Sequence, residues 1–101
     1  MEQVSVTLSE AKMLMRGWSH ATFETIPKSI RYHYRVHGDD VGAGNVWQYL
    51  RKAQGLRNSL RGAQRTALDG GKARYTRNKR FLIINALGKI VSYGAERTDN
   101  E

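Results

Sequence analysis

The chain has 101 residues, no cysteine, and seventeen Lys and Arg against nine Asp and Glu, a formal charge of +8 at pH 7. That length suits a single domain with a single core, and the lack of cysteine excludes disulfide frameworks and cysteine-ligated zinc. With 40% hydrophobic residues and no run of about 18 apolar residues, no bilayer-spanning helix is expected and the composition is that of a soluble globule.

The positive charge is not spread evenly. Residues 1–27 carry two bases and three acids, and residues 81–101 carry the same; between Lys28 and Arg80, thirteen bases face only Asp39, Asp40 and Asp69, a local balance of +10. Such a concentration draws polyanions through steering and counterion release. A nucleic acid, RNA above all, is the expected partner. No charged segment followed by an apolar one opens the chain, so secretion would depend on residues outside this sequence.

In chain order, Val4 to Thr7 reads as a short strand or lead-in. Ser9 and Glu10 then open a helical pattern through Ala11, Leu14 and Met15 that closes at Gly17. Trp18 to Ile26 has no clear periodicity. Beyond Pro27, the spacing of Ile30, His33, Tyr34 and His37 predicts a helix over Lys28–His37 with Gly38 as its stop. Gly38 to Gly44 is a tight loop by composition. Asn45 is a suitable N-cap for the strongest helical pattern, in which Val46, Tyr49, Leu50, Ala53, Leu56 and Leu60 form one face and Arg51, Lys52, Arg57 and Arg61 the other. Between Gly62 and Gly71 the pattern fails, with a turn at Asp69, Gly70 and Gly71. Ala73–Thr76, Phe81–Asn85 and Lys89–Tyr93 read as strands of an antiparallel meander. The fold class expected is α+β: N-terminal helices packed on one face of a small C-terminal antiparallel sheet, with the other face open. Residues 1–101 form one domain in this reading, with 1–17 a lead-in helix or linker and 95–101 a polar, frayed tail.

His33 and His37 stand four apart on a predicted helix, so their imidazoles project from one face. Two such groups can serve as general base and general acid, or hold one metal. They can equally be plain helix architecture, one capping and one packing. A metal would need a third ligand, and His20 and scattered carboxylates offer no motif spacing; no metal and no cofactor is expected. A second group, Lys72, Arg74, Tyr75, Arg77, Lys79 and Arg80, interleaves bases with an aromatic. A cationic sheet face with a ring is what gripping a phosphate backbone and stacking an unpaired base require. Strand alternation sends Arg74 and Tyr75 to opposite faces, so some of these residues must be ordinary surface, or gatekeepers beside the apolar strand. Ser92, Tyr93 and Gly94 end the last strand, where a hydroxyl pair means little alone. Trp18 and Trp47 read as core. No nucleotide loop, nucleophile elbow or paired-carboxylate motif occurs.

The run Tyr32-His33-Tyr34-Arg35-Val36-His37-Gly38, followed by Val41-Gly42 and by Tyr49-Leu50 and Ala53, resembles the pattern H-x-x-x-H-G, small loop, E-Y, A of C-terminal toxin domains from bacterial polymorphic and contact-dependent toxin systems. Arg74-Tyr75, a hairpin with Leu87-Gly88-Lys89-Ile90, and Ser92-Tyr93 are similar to the end of those domains. They belong to the ribonucleases related to barnase, EndoU, the tRNA-cleaving colicins and RelE. The chain departs from the pattern at Gln48, where the family has an acid, and at Ser92, where it has Thr.

The resemblance implies a metal-independent endoribonuclease of the barnase/EndoU/colicin/RelE (BECR) type, acting on RNA and foremost on tRNA. Carried over by position, His33, His37, Arg74 and Ser92 would be catalytic and Tyr75 would bind substrate; Arg77, Lys79, Arg80 and Tyr93, read from the chain's own basic and aromatic pattern, are the further substrate-binding candidates. It further implies a cognate acidic immunity protein and delivery from a producer cell into a target-cell cytoplasm. A non-catalytic RNA- or DNA-binding module and a histidine-ligated metal nuclease are the alternatives.

Overall fold

In a computed structural model that describes residues 7–96, Thr7 caps the first helix, α1 (Leu8–Arg16), its hydroxyl accepting from the Glu10 amide at 3.1 Å. Of the expected lead-in Val4–Thr7, the first three residues lie outside the described range. Leu14 points from α1 into the core at 4% exposure. Glu10 takes two hydrogen bonds from Arg51, at 2.8 and 2.9 Å. The segment 8–16 is therefore part of the domain.

Helix α2 (Ile26–His37) starts two residues before the expected Lys28. Thr25 is its cap, accepting from the Lys28 amide at 3.3 Å, and Pro27 falls in the first turn, where its missing N–H costs nothing. A short 3-10 turn (Asp39–Val41) ends at Gly42, whose φ of 72° is left-handed. Helix α3 (Val46–Arg57) begins as expected at the Asn45 cap, which accepts from the Gln48 amide at 2.9 Å. It ends before Leu60, although Leu60 still packs on the core.

Four strands follow, β1 (Gln64–Ala67), β2 (Ala73–Arg77), β3 (Arg80–Ile84) and β4 (Ile90–Ala95), in one antiparallel sheet of sequential order. The α+β arrangement, helices first and meander after, is as expected, but β1 is an addition. All four of its residues are exposed, so no buried alternation marks them in the sequence. Asn78 and Lys79, with φ of 51° and 65°, make the two-residue turn between β2 and β3 and match the twist of the hairpin. Glu96 continues β4, its amide donating to the Lys79 carbonyl at 2.8 Å. The first two residues of the expected tail 95–101 are thus ordered, and residues 97–101 lie outside the described range.

The register sorts the sheet into two faces, because residues directly opposite across antiparallel strands share a face. Tyr75, Leu82 and Tyr93 line up on one. That face meets the helices, and Leu82 and Tyr93 join Leu14, Trp18, Ile30, Tyr49, Leu50 and Ala53 in the core. Burying each of the aliphatic side chains Leu14, Ile30, Leu50 and Leu82 contributes roughly 1.5–3 kcal/mol. Trp18 is 1% exposed and donates its indole N–H to Ser29 Oγ at 3.1 Å. The Tyr49 hydroxyl donates to the Tyr93 carbonyl, tying α3 to β4; burial pushes its pKa far above the usual phenol range. Arg74, Ile83 and Ser92, then Thr76, Phe81 and Gly94, fall on the other face.

Candidate functional site

Gly94 is where α2 meets that second face. A Cβ on it would stand 2.7 Å from His37 Nδ1 and 2.8 Å from Phe81 Cε2, so the bare backbone of β4 provides the seat of the His37 imidazole. The ring meets Phe81 edge-on, with centroids 5.5 Å apart. The Arg74 guanidinium lies over the same Phe81 ring at 4.4 Å, a favourable cation–π geometry. His37 and Arg74 therefore both contact Phe81, one from α2 and the other from β2.

His33 stacks on His37 with centroids 6.2 Å apart and ring planes 14° from parallel, as expected for neighbours four apart on one helix. Trp18, Phe23 and Tyr32 surround its other sides at 5.8, 5.8 and 5.1 Å. Its exposure is 9%. The Nδ1 atom lies 2.8 Å from the Ser29 carbonyl. A carbonyl only accepts, so Nδ1 carries the proton and the lone pair of the neutral ring sits on Nε2. Burial lowers the His33 pKa below its ordinary value, opposed by the hydrogen bond to Ser29. Among the described residues no buried side-chain nitrogen or oxygen lacks a partner. The result is a largely buried, neutral imidazole with a fixed tautomer, the protonation state from which a general base starts.

Glu96 pairs with Arg74 at 2.7 Å. By sequence it falls in the tail and not in the site. Only the register of β4, which puts Ser92, Gly94 and Glu96 on one side, brings it to Arg74. Phe81 and Gly94 are invisible to sequence reasoning for a similar reason: neither carries chemistry, and each matters through what stands on it.

The remaining expected residues divide. Ser92 is 9% exposed and shares the face of Arg74 through Ile83. Tyr75 is on the helix side and accepts from Arg65 Nε at 3.3 Å. Arg77 donates to the Ser59 carbonyl. Tyr93 is a core residue at 4% exposure; desolvation raises its pKa, with the adjacent Arg80 opposing. Lys79 sits in the turn between β2 and β3. His33 and His37 are thus neighbours on α2, His37 and Arg74 both contact Phe81 and Ser92 lies on the sheet face of Arg74, whereas Tyr75, Arg77, Arg80 and Tyr93 fall on the opposite face.

Among the described residues no group of three or more His, Asp or Glu side chains converges as metal ligands would, and no helix is long and apolar enough to cross a membrane.

The Arg74–Glu96 pair has a measurable consequence for any anion that binds here. Both side chains are about a third exposed, and such pairs contribute about 0.2–1 kcal/mol. A phosphate reaching Arg74 must compete with the carboxylate. Glu96→Gln is expected to tighten binding of a non-cleavable RNA by about two- to five-fold at low salt, measured by fluorescence anisotropy. An unchanged or weaker affinity would remove Arg74 from the anion site.

Compared with known proteins, the chain matches no family model, no curated protein and no solved structure, so its relationships rest on the residues themselves.

Proposed function

We propose that the protein is a metal-independent endoribonuclease of the toxin type, cutting RNA, and tRNA foremost, by attack of a ribose 2′-hydroxyl on the adjacent phosphate. The observation that carries this reading is the contact of both His37 and Arg74 with Phe81, with the neutral His33 stacked on His37. His33 Nε2 accepts the 2′ proton. His37 hands a proton to the departing 5′-oxygen, so a cyclic phosphate and a free 5′-hydroxyl remain. Arg74, exchanging Glu96 for the phosphate, offsets the charge that develops on its oxygens. Ser92 contributes a hydroxyl on the same face. An acidic immunity protein would protect the producer by covering this basic domain, and the site of action would be the cytoplasm of a target cell.

The decisive experiment is incubation of purified protein with tRNA and total RNA in EDTA, with sequencing of fragment ends. Fragments ending in cyclic phosphate and beginning with 5′-hydroxyl are expected. RNA that stays intact but bound would instead identify a binding module, a reading that the low exposure of His33 and its bond to the Ser29 carbonyl favour. Cleavage that needs added metal would identify a metal nuclease.

A further inference from the structure

The basic residues of α2 belong to a different surface from the one just described. Lys28, Arg31, Tyr32 and Arg35 recur at spacings of three and four, so they form one exposed stripe along the helix. With Phe23, Tyr34 and the start of α3 at Asn45 and Val46, this stripe lines an open groove of about 870 Å³ that contains no Asp or Glu. Lys28 pairs with Glu24 outside the groove, and the pair is solvent-exposed, so it is screened and readily exchanged for another anion. Arg31 and Arg35 form no ion pair among the described residues. Asn45 is already committed to capping α3. Tyr32 remains 42% exposed.

Ring contacts link the lining of the groove to the histidines, which are not themselves part of it. Phe23 contacts Tyr32 with centroids 5.2 Å apart, Tyr32 meets His33 edge-on at 5.1 Å, and His33 stacks on His37. Rings therefore lead from the cationic stripe to the sheet face without a break. From this we infer that the groove is a second binding site, for a single-stranded stretch of RNA flanking the phosphodiester held at His37 and Arg74. Repeating phosphates suit Arg31, Arg35 and Lys28, while unpaired bases suit Tyr32 and Phe23, a division of labour common to single-strand binders. A duplex would keep its bases stacked inside and leave the rings unused. The groove's openness fits a chain passing through. The inference rests on the RNA reading above and narrows it to substrates that present unpaired nucleotides.

The test uses a labelled decanucleotide with 2′-O-methyl riboses, which removes the attacking hydroxyl and separates binding from cleavage. Arg31→Glu/Arg35→Glu is expected to weaken its binding at least ten-fold, and to flatten the salt dependence by about 0.7 in log–log slope for each phosphate that is no longer neutralised. Tyr32→Ala is expected to weaken it with no change in salt slope, because stacking carries no counterion release. A dinucleotide, too short to span both surfaces, should lose less. Far-UV circular dichroism and thermal melts establish that the variants fold. If the wild type binds the decanucleotide and the double variant binds it equally well, the groove proposal fails while the ribonuclease reading stands. If the wild type neither binds nor cuts RNA, the reading itself fails and takes the groove with it.

Discussion

If the protein is the ribonuclease proposed, His33→Ala and His37→Ala are each expected to reduce RNA cleavage by about 10²-fold or more, the usual cost of removing a positioned acid or base. Cleavage of tRNA in EDTA, followed by gel or by released cyclic phosphate, measures it. His33 also packs against Trp18, Phe23 and Tyr32, so truncation there removes packing as well as chemistry; His33→Gln keeps most of the bulk and is the companion variant. The pH profile separates the two roles. Burial lowers the His33 pKa below 6.5, so the acid limb of kcat/KM should fall below pH 6.5, and it should be absent from His33→Gln. Stability carries the same signature. Unfolded His33 takes up a proton near 6.5 while the folded residue resists it, so its contribution is whole above pH 6.5 and declines as pH drops toward the lowered folded value. Full cleavage by both single variants would remove the imidazoles from the mechanism.

Gly94→Ala should disturb the same site through packing alone. Its Cβ would stand 2.7 Å from His37 Nδ1 and 2.8 Å from Phe81 Cε2, closer than unstrained atoms approach, and neither ring is a freely moving chain end. The expected cost is about 1–3 kcal/mol, which lowers Tm by roughly 4–8 °C per kcal/mol for a domain of this size. Because His37 is the group displaced, cleavage should fall more than stability predicts. Gly55→Ala is the control. It lies within α3, where an added Cβ meets nothing within 4 Å, and it should gain about 0.5–1 kcal/mol from helix propensity. A Gly94→Ala protein as stable and active as the wild type would mean that His37 does not rest on β4.

The helices are readable because their signals are local. Asn45 as a cap, the three-and-four spacing of Tyr49, Leu50 and Ala53, and the stop at Gly38 each act within a turn of where they stand. Thr25 is hidden as the α2 cap because Pro27 draws the boundary toward itself. β1 is illegible for a physical reason: Gln64, Arg65, Thr66 and Ala67 are exposed and hold a strand only through pairing with β2. The site is half legible. His33 and His37 stand out by spacing, and Arg74 by its charge. What their surroundings do depends on which residues lie opposite one another in the sheet, and a one-residue slip would exchange the faces. Glu96, Phe81 and Gly94 acquire their roles only from that register. Tyr75, Arg77, Arg80 and Tyr93, near neighbours of Arg74 and Ser92 in the chain, are sent to the far side by the same rule.

The bond from the Tyr49 hydroxyl to the Tyr93 carbonyl fixes the main chain one residue before the seat of His37. Tilting of α3 would drag that seat with it, so the imidazole is indexed to a fully buried aromatic and not to a surface loop. Adjustment to an incoming ligand then falls to the partners that can move without disturbing this anchor, above all the guanidinium of Arg74 as it trades one anion for another.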